Sequence, residues 1–298
     1  MKHKFVLVSA SVFAMSGLAP VAHATSLEDV CNETITDDTK VNESGEFTGE
    51  CRIKVDNAKL EIVGVTIAIN NTAGEGDGEL RIDDITEGGG AAGLIIKNAK
   101  ITTGDRLRIE EAWDGGVTFK NNWVDTGDDL RVKPIGSGDL IFKNNRGQVL
   151  DDIRLGEVIK DDQEPPNIIG GLDGDIDVRN NRITLLDQVD PDPDEPGTEF
   201  VVQSFDGDID VRNNKLGDNV ARIDITSSSS GDIGVKNNEI INNQTNQELK
   251  ITSADGEVSV LNNRFGEDGI SVEIKSTTDC ESKRNTPELV DQLACQSP

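Results

Sequence analysis

Apolar and polar residues alternate along this 298-residue chain in one phrase that keeps returning. In GDIDVRNNKL, Gly207 to Leu216, the apolar Ile209 and Val211 are followed two positions on by Asn213, so these three face one side of a strand. Asp210 and Arg212 face the other side. Related phrases start at Ile53 (IKVDNAKL), Leu94 (LIIKNAKI), Val117 (VTFKNNWV), Leu140 (LIFKNN), Ile176 (IDVRNNRI), Ile233 (IGVKNNEI) and Val258 (VSVLNNRF). The first Asn of each of these eight copies falls at Asn57, Asn98, Asn121, Asn144, Asn180, Asn213, Asn237 and Asn262, at intervals of 41, 23, 23, 36, 33, 24 and 25 residues. A base period of 23 to 25 predicts a solenoid, in which each unit stacks on the next to bury a face it cannot bury alone.

Two solenoids use such a period. IDVRNNRI fits the core of a leucine-rich repeat, with Asn181 as its Asn, which makes a leucine-rich-repeat-like solenoid the alternative. Against it, the Leu expected three residues earlier is Asp173, Asp206, Ser230 or Asp255, and the second Asn is replaced by Ala58 and Ala99 in the first two copies. The rest of each repeat is a second alternating strand, as in LRIEEA from Leu107, ARIDIT from Ala221 and ISVEIK from Ile270. Strands separated by an Asn turn make the chain resemble the right-handed parallel β-helix of the pectate-lyase-like (pectin-lyase-like) superfamily, over about Gly49 to Lys275. The resemblance implies an all-β fold of about eight coils with an internal ladder of turn Asn residues. All eight first-position Asn residues are assigned to that ladder, where a stacked amide bonds both the local backbone and the next Asn.

Before the repeats, Met1 to Ala24 combine Lys2 and Lys4, an apolar run from Phe5 to Leu18, and Ala22-His23-Ala24, the pattern of a cleaved export signal. A mature protein soluble in the periplasm or outside the cell, with no membrane insertion, follows as the expectation. The organisation expected is a signal peptide (1–24), an N-terminal cap (25–50), a β-helix (51–276) and a C-terminal cap (277–298). Cys31 and Cys51, and Cys280 and Cys295, form two close pairs outside the repeats. Three pairings are possible, and the short loops favour each end stapled to itself. Thr286, Pro287 and Glu288 open a predicted helix, ELVDQLAC. Long intervals mark excursions at Gly74 to Gly78, at Asp151 to Gly171, and at the acidic, Pro-rich Asp187 to Gly197. Within the last, Asp190, Asp192 and Asp194 open like an EF-hand loop, but Glu195 and Val201 stand where that loop needs Gly and Glu.

Charge narrows the chemistry. The chain carries 29 basic and 56 acidic residues for a net −27, and removing Lys2 and Lys4 with the signal leaves 27 against 56, or about −29. This weighs against nucleic acid and anionic membrane as partners. Both histidines, His3 and His23, lie in the signal and there is no Tyr, so histidine triads and histidine metal sites are excluded from the mature chain. The candidate chemistry is the doubled phrase Asp173-Gly-Asp175-Ile-Asp177 and Asp206-Gly-Asp208-Ile-Asp210. Stacked coils would bring Asp175 beside Asp208 and Asp177 beside Asp210, a repulsion that Ca2+ would relieve. Arg179 and Arg212 extend a basic column with Lys97, Lys120, Lys143 and Lys236.

The resemblance implies a lyase in which acidic residues hold calcium while an Arg or Lys removes a proton beside a uronate carboxylate. It would put Asp175, Asp177, Asp208 and Asp210 on the metal and Arg179 or Arg212 as base. The structural alternative is a solvated charge ladder produced by repeat duplication. Trp113 and Trp123, the only tryptophans, are candidates for stacking on a sugar or for covering a coil turn. Polygalacturonase-type hydrolysis is excluded, because the GHG element of those enzymes has no counterpart here, and the RIK at Arg52 to Lys54 stands without partners. The leading expectation is a non-catalytic exported module for extracellular polysaccharide or for a structural role, with a calcium-dependent uronate lyase as the alternative.

Overall fold

The computed structural model describes residues 24–73, 76–84, 93–160, 168–186, 197–241, 247–266, 270–287 and 293–295. All of the expected export signal except Ala24 lies outside them, as do the DDQEPP and EF-hand-like stretches and part of GEGDG.

Each coil is built from three strands, where the repeat pattern suggested two. Val117–Lys120, Trp123–Thr126 and Leu130–Ile135 form one turn of the chain, and Leu140–Lys143 begins the next directly above Val117–Lys120. Stacking the coils produces three parallel sheets of eleven, eight and eleven strands among the described residues. Sheet I holds the strands preceding each Asn turn, sheet II the short strands after it, and sheet III the LRI-type strands. This is a parallel β-helix, and the leucine-rich-repeat alternative falls because no helix occurs among the described residues.

The alternation dictates the inside. Val117, Phe119, Val124, Leu130 and Val132 are buried while Thr118, Arg131 and Lys133 between them stay partly exposed. Like residue stacks on like: Phe119 and Phe142 lie with ring centroids 5.3 Å apart and planes 9° from parallel. The rungs run past both expected ends of the β-helix. Thr39–Glu43 and Gly45–Thr48 pair into sheets I and II, and Cys280–Lys283 into sheet I. The predicted C-terminal helix is not formed at Leu293–Cys295, which is a strand on Ser271–Ser276 in sheet III, because edge backbone donors and acceptors there are satisfied by one more rung. Residues 288–292 lie outside the described set. Cys31 and Cys51 are disulfide-bonded, as is Cys280.

The Asn ladder exists, but on the other Asn. The first-position residues take positive φ, between 51° and 58° from Asn57 to Asn262, and their side chains are exposed. A left-handed residue bends the chain inward, so the following side chain points to the core. Asn122, Asn145, Asn181, Asn214, Asn238, Asn263 and Asn285 are all buried. Each of these amides bonds backbone of the preceding coil, and from Asn145 on also the neighbouring ladder Asn. Asn181 Nδ2 donates to the Phe142 carbonyl at 3.0 Å and to Asn214 Oδ1 at 2.9 Å, while its Oδ1 accepts from the Asn145 backbone N–H at 2.9 Å and Asn145 Nδ2 at 3.0 Å.

The first copy also sits out of register. Cys51–Val55 belongs to sheet III, and the true counterpart of the Leu94 phrase is Lys59–Val63, whose left-handed position is Gly64 at φ 70°. Glycine reaches that region without the Cβ clash, so it replaces Asn there.

Asn181→Ala would strand one buried backbone N–H and one C=O, at roughly 1–3 kcal/mol each. Asn180→Ala keeps the Cβ in the left-handed region and removes only the amide that eases it there and bonds Asn144, at about 1–2 kcal/mol. Thermal melting should therefore show Asn181→Ala as clearly the more damaging change, with Asn180→Gly near neutral. Equal losses would show that the buried amides do not carry the turn.

Candidate functional site

The coil stacking places the two Asp pairs as expected. Asp177 lies in register with Asp210, and Asp208 donates its backbone N–H to Asp175 Oδ1 at 3.0 Å. That second contact belongs to a column: Asp175 N–H is accepted by Asp139 Oδ1, Asp232 N–H by Asp208 Oδ1 and Glu257 N–H by Asp232 Oδ1, at 2.7 to 3.1 Å. These carboxylates hold the turn from sheet III to sheet I. The Gly in DGD is required there too, since a Cβ on Gly207 would lie 2.1 Å from the Gly174 carbonyl oxygen.

Asp177 and Asp210 are engaged otherwise. Asp177 is ion-paired with Lys143 and lies 2.5 Å from Arg179 Nε, off the direction of a hydrogen bond. Asp210 is ion-paired with Arg212 and accepts from Arg179 Nη2 at 2.9 Å. So the four proposed calcium ligands divide into two backbone acceptors and two partners of cations. Arg179 and Arg212, proposed as the base, are the counter-ions of the acids proposed to hold the metal. The arrangement is a charge ladder.

Sheet III carries a second ladder that the repeat pattern did not reveal. Arg52, Arg81, Arg108, Arg131 and Arg154 stand in one column of five successive coils. Carboxylates in the flanking columns meet them: Arg52 reaches Asp83 at 2.6 Å, Arg81 reaches Glu110 at 3.2 Å, and Arg154 lies 2.6 Å from Asp152 and 3.3 Å from Glu199. The excursions at 161–167 and 187–196 leave from the turns on either side of this sheet. Below the arginines, Asp128, Asp129 and Asp151 each bring a carboxylate oxygen within 4.8 Å of the others. Arg106 Nε already lies 2.6 Å from Asp128. Burial lifts the Asp151 carboxyl to about 7, helped by the nearby charges of Asp152, Asp129 and Asp128 and opposed by Arg154.

The corner between sheets I and II is different in kind. Its turn is two residues long from Val63–Thr66 to Lys236–Glu239, so among the described residues no long segment leaves the chain from it. On the sheet I side run Lys97, Lys120, Lys143, Arg179, Arg212 and Lys236 in register. On the sheet II side run Lys100, Trp123, Arg146, Arg182 and Lys215. Between them lies the exposed Asn row, partly knit by Asn121 Nδ2 to Asn98 Oδ1 at 3.1 Å and Asn144 Nδ2 to Asn121 Oδ1 at 2.9 Å. Among the described residues, Lys100, Lys120, Arg146 and Arg182 make no ion pair. A shallow depression there is lined by Asn144, Arg146, Asn180, Arg182 and Asn213.

The tryptophans part company. Trp113 is fully buried, with Nε1 donating to the Glu110 carbonyl at 2.8 Å, and so is removed as a sugar-binding candidate. Trp123 is 47% exposed on the corner, its Nε1 donating to Asp125 at 2.7 Å. Arg146, Arg182 and Lys215 were readable as the residue after the second Asn in each phrase. Compared with family models, curated proteins and solved structures, the chain matches none.

Two outcomes follow. Because the folded Asp151 holds its proton up to about pH 7, against about 4 for a free carboxyl, the native state gains stability at low pH that it loses as pH rises through that window. Asp151→Asn should raise the melting temperature above pH 7 and make little difference below about pH 4; an unchanged difference across the range would exclude the strained carboxylate. In calcium titration calorimetry, the Asp177→Ala/Asp210→Ala double variant should match the parent, and loss of a saturable isotherm would restore the metal site.

Proposed function

We propose that this chain is a non-catalytic, exported module that binds an extended carbohydrate along the corner between sheets I and II. The observation that carries this reading is Trp123, a half-exposed aromatic set in register between Lys100 and Arg146 beside a row of exposed amide side chains. A flat indole face takes the apolar side of a sugar ring, and the outward amides of Asn98, Asn121 and Asn144 keep donors and acceptors for its hydroxyls. The surface repeats once per coil, which suits a polymer better than a small molecule.

Export is supported by the Cys31–Cys51 disulfide and by the absence of free cysteines among the described residues. Absence of catalysis is supported by the engagement of Arg179 and Arg212 with Asp177 and Asp210. A general base must face the proton it removes, and these guanidinium groups are turned to carboxylates instead.

Affinity electrophoresis in gels containing single polysaccharides tests the reading. At least one polymer should retard the mature protein, and Trp123→Ala should weaken that binding by about tenfold, roughly 1.4 kcal/mol, with melting unchanged. Retardation by none of them, or accumulation of unsaturated sugar product in the presence of calcium, would overturn it.

A further inference from the structure

We infer that the outer face of sheet I is an interface for a second copy of this chain, forming a two-fold dimer whose solenoid axes run parallel. The inference stands apart from the carbohydrate-binding reading and concerns the neighbouring face.

From Val117 onward, the strands of sheet I run between two columns of opposite charge. At the start of the strands Asp139, Asp175, Asp208, Asp232, Glu257 and Asp279 stand one per coil, all exposed, and none makes an ion pair among the described residues. At their end stand Lys120, Lys143, Arg179, Arg212, Lys236 and Lys283, interrupted by Leu261. Between the columns, Asp177 and Asp210 are already neutralised by Lys143, Arg179 and Arg212, whereas Lys120 and Lys236 make no ion pair among the described residues. Like charges at neighbouring strand positions repel. The turns that carry the acid column, at 113–116, 136–139, 172–175, 205–208, 228–232, 254–257 and 277–279, contain no Lys or Arg to relieve it.

A second copy supplies the missing cations, and symmetry fixes how. A dyad along the solenoid axis exchanges the two edges of the face and keeps every coil at its own height. The acid column of one copy then meets the cation column of the other coil for coil: Asp139 with Lys143, Asp175 with Arg179, Asp208 with Arg212, Asp232 with Lys236 and Asp279 with Lys283. A dyad along the strands would set acid on acid, so the axes run parallel. Self-complementary two-fold contacts of this kind close on themselves and leave no open array.

The exception in the column fits as well. At the coil of Val117–Lys120 the acid position is Gly116, and Asp114, Thr118, Ser137, Asp139 and Ile141 line a depression of about 350 Å3 there. Lys120 of the second copy has room in it to lay its alkyl stem on Thr118 and Ile141 and its ammonium beside Asp114. The seven strands from Val117–Lys120 to Cys280–Lys283, with their flanking columns, offer roughly 600 Å2 per copy, the lower end of a specific interface. The net charge of −27 opposes association only weakly at physiological salt, since charges beyond about 8 Å are largely screened.

The test is size-exclusion chromatography with light scattering on the mature protein over a range of micromolar concentrations, which should give twice the chain mass. Lys120→Glu/Lys236→Glu should raise the dissociation constant at least tenfold. Lys120→Arg/Lys236→Arg and, on sheet II, Arg146→Glu/Arg182→Glu should associate as the parent does, and all three variants should melt as it does. Ser259 lies in the central column, on the dyad, so Ser259→Cys should be joined to its counterpart by a short bismaleimide; a dyad along the strands would part the two residues. A monomer at every concentration, a dimer indifferent to the lysine reversal, or a dimer that Ser259→Cys does not cross-link would each overturn the interface, and failure of polysaccharide binding would leave it standing.

Discussion

The turn from sheet I to sheet II drives backbone into the protein interior, and buried amide and carbonyl groups must find partners there. The stacked second-position Asn residues supply them. Asn214 Nδ2 reaches the Val178 carbonyl at 2.9 Å, its Oδ1 accepts the Asn181 N–H at 3.0 Å, and the same bonds recur one coil on at Asn238. Because each amide bonds backbone of the coil before it and the Asn of the coil after it, one coil cannot slide against another without breaking the set. The register of the whole solenoid follows from that constraint.

Fixed register has an outward consequence. Each residue type repeats above itself at the strand spacing, so a duplicated phrase becomes a column of like charge. Two of the three faces interleave columns of opposite sign, and the buried Asp83, Asp129 and Asp152 show how closely sheet III is paired. Ladders of this kind are a consequence of duplication and do not need a ligand to explain them. The interleaving is not continuous, and stops at Lys120 on sheet I and at Arg146 over Arg182 on sheet II.

The solenoid class, the apolar interior, the adjacency of Asp177 to Asp210 and the basic column through Lys143 and Arg179 were all legible in the alternation and the period. What misled was parity. Counting by twos through Ile209, Val211 and Asn213 puts Asn213 inside, but the strand ends at Arg212 and the left-handed residue that follows resets the count, so Asn214 enters the core. The same turn chemistry hid the first coil, since Gly64 performs the conformational task of Asn and carries none of its letters. The short strands of sheet II were obscured because residues such as Trp123 to Thr126 follow the turn at once, with no spacer to announce them. The column of arginines was also present in the period, since Arg108, Arg131 and Arg154 recur every 23 residues, but its carboxylate partners come from other positions that the repeat does not mark.

The exposed Asn row joins fold to proposed function. Asn tolerates the left-handed conformation, which explains its recurrence at the corner, but Gly would serve the backbone better and does so at Gly64. From Asn98 to Asn262 the chain instead keeps an amide at every turn, exposed and outside the core ladder. These amides bond one another between coils, Asn121 to Asn98, Asn144 to Asn121 and Asn180 to Asn144, and place a line of donors and acceptors between two cation columns. Asn at these turns thus does what Gly64 cannot, adding side-chain bonds between coils and an outward row of amides to the conformation the turn requires.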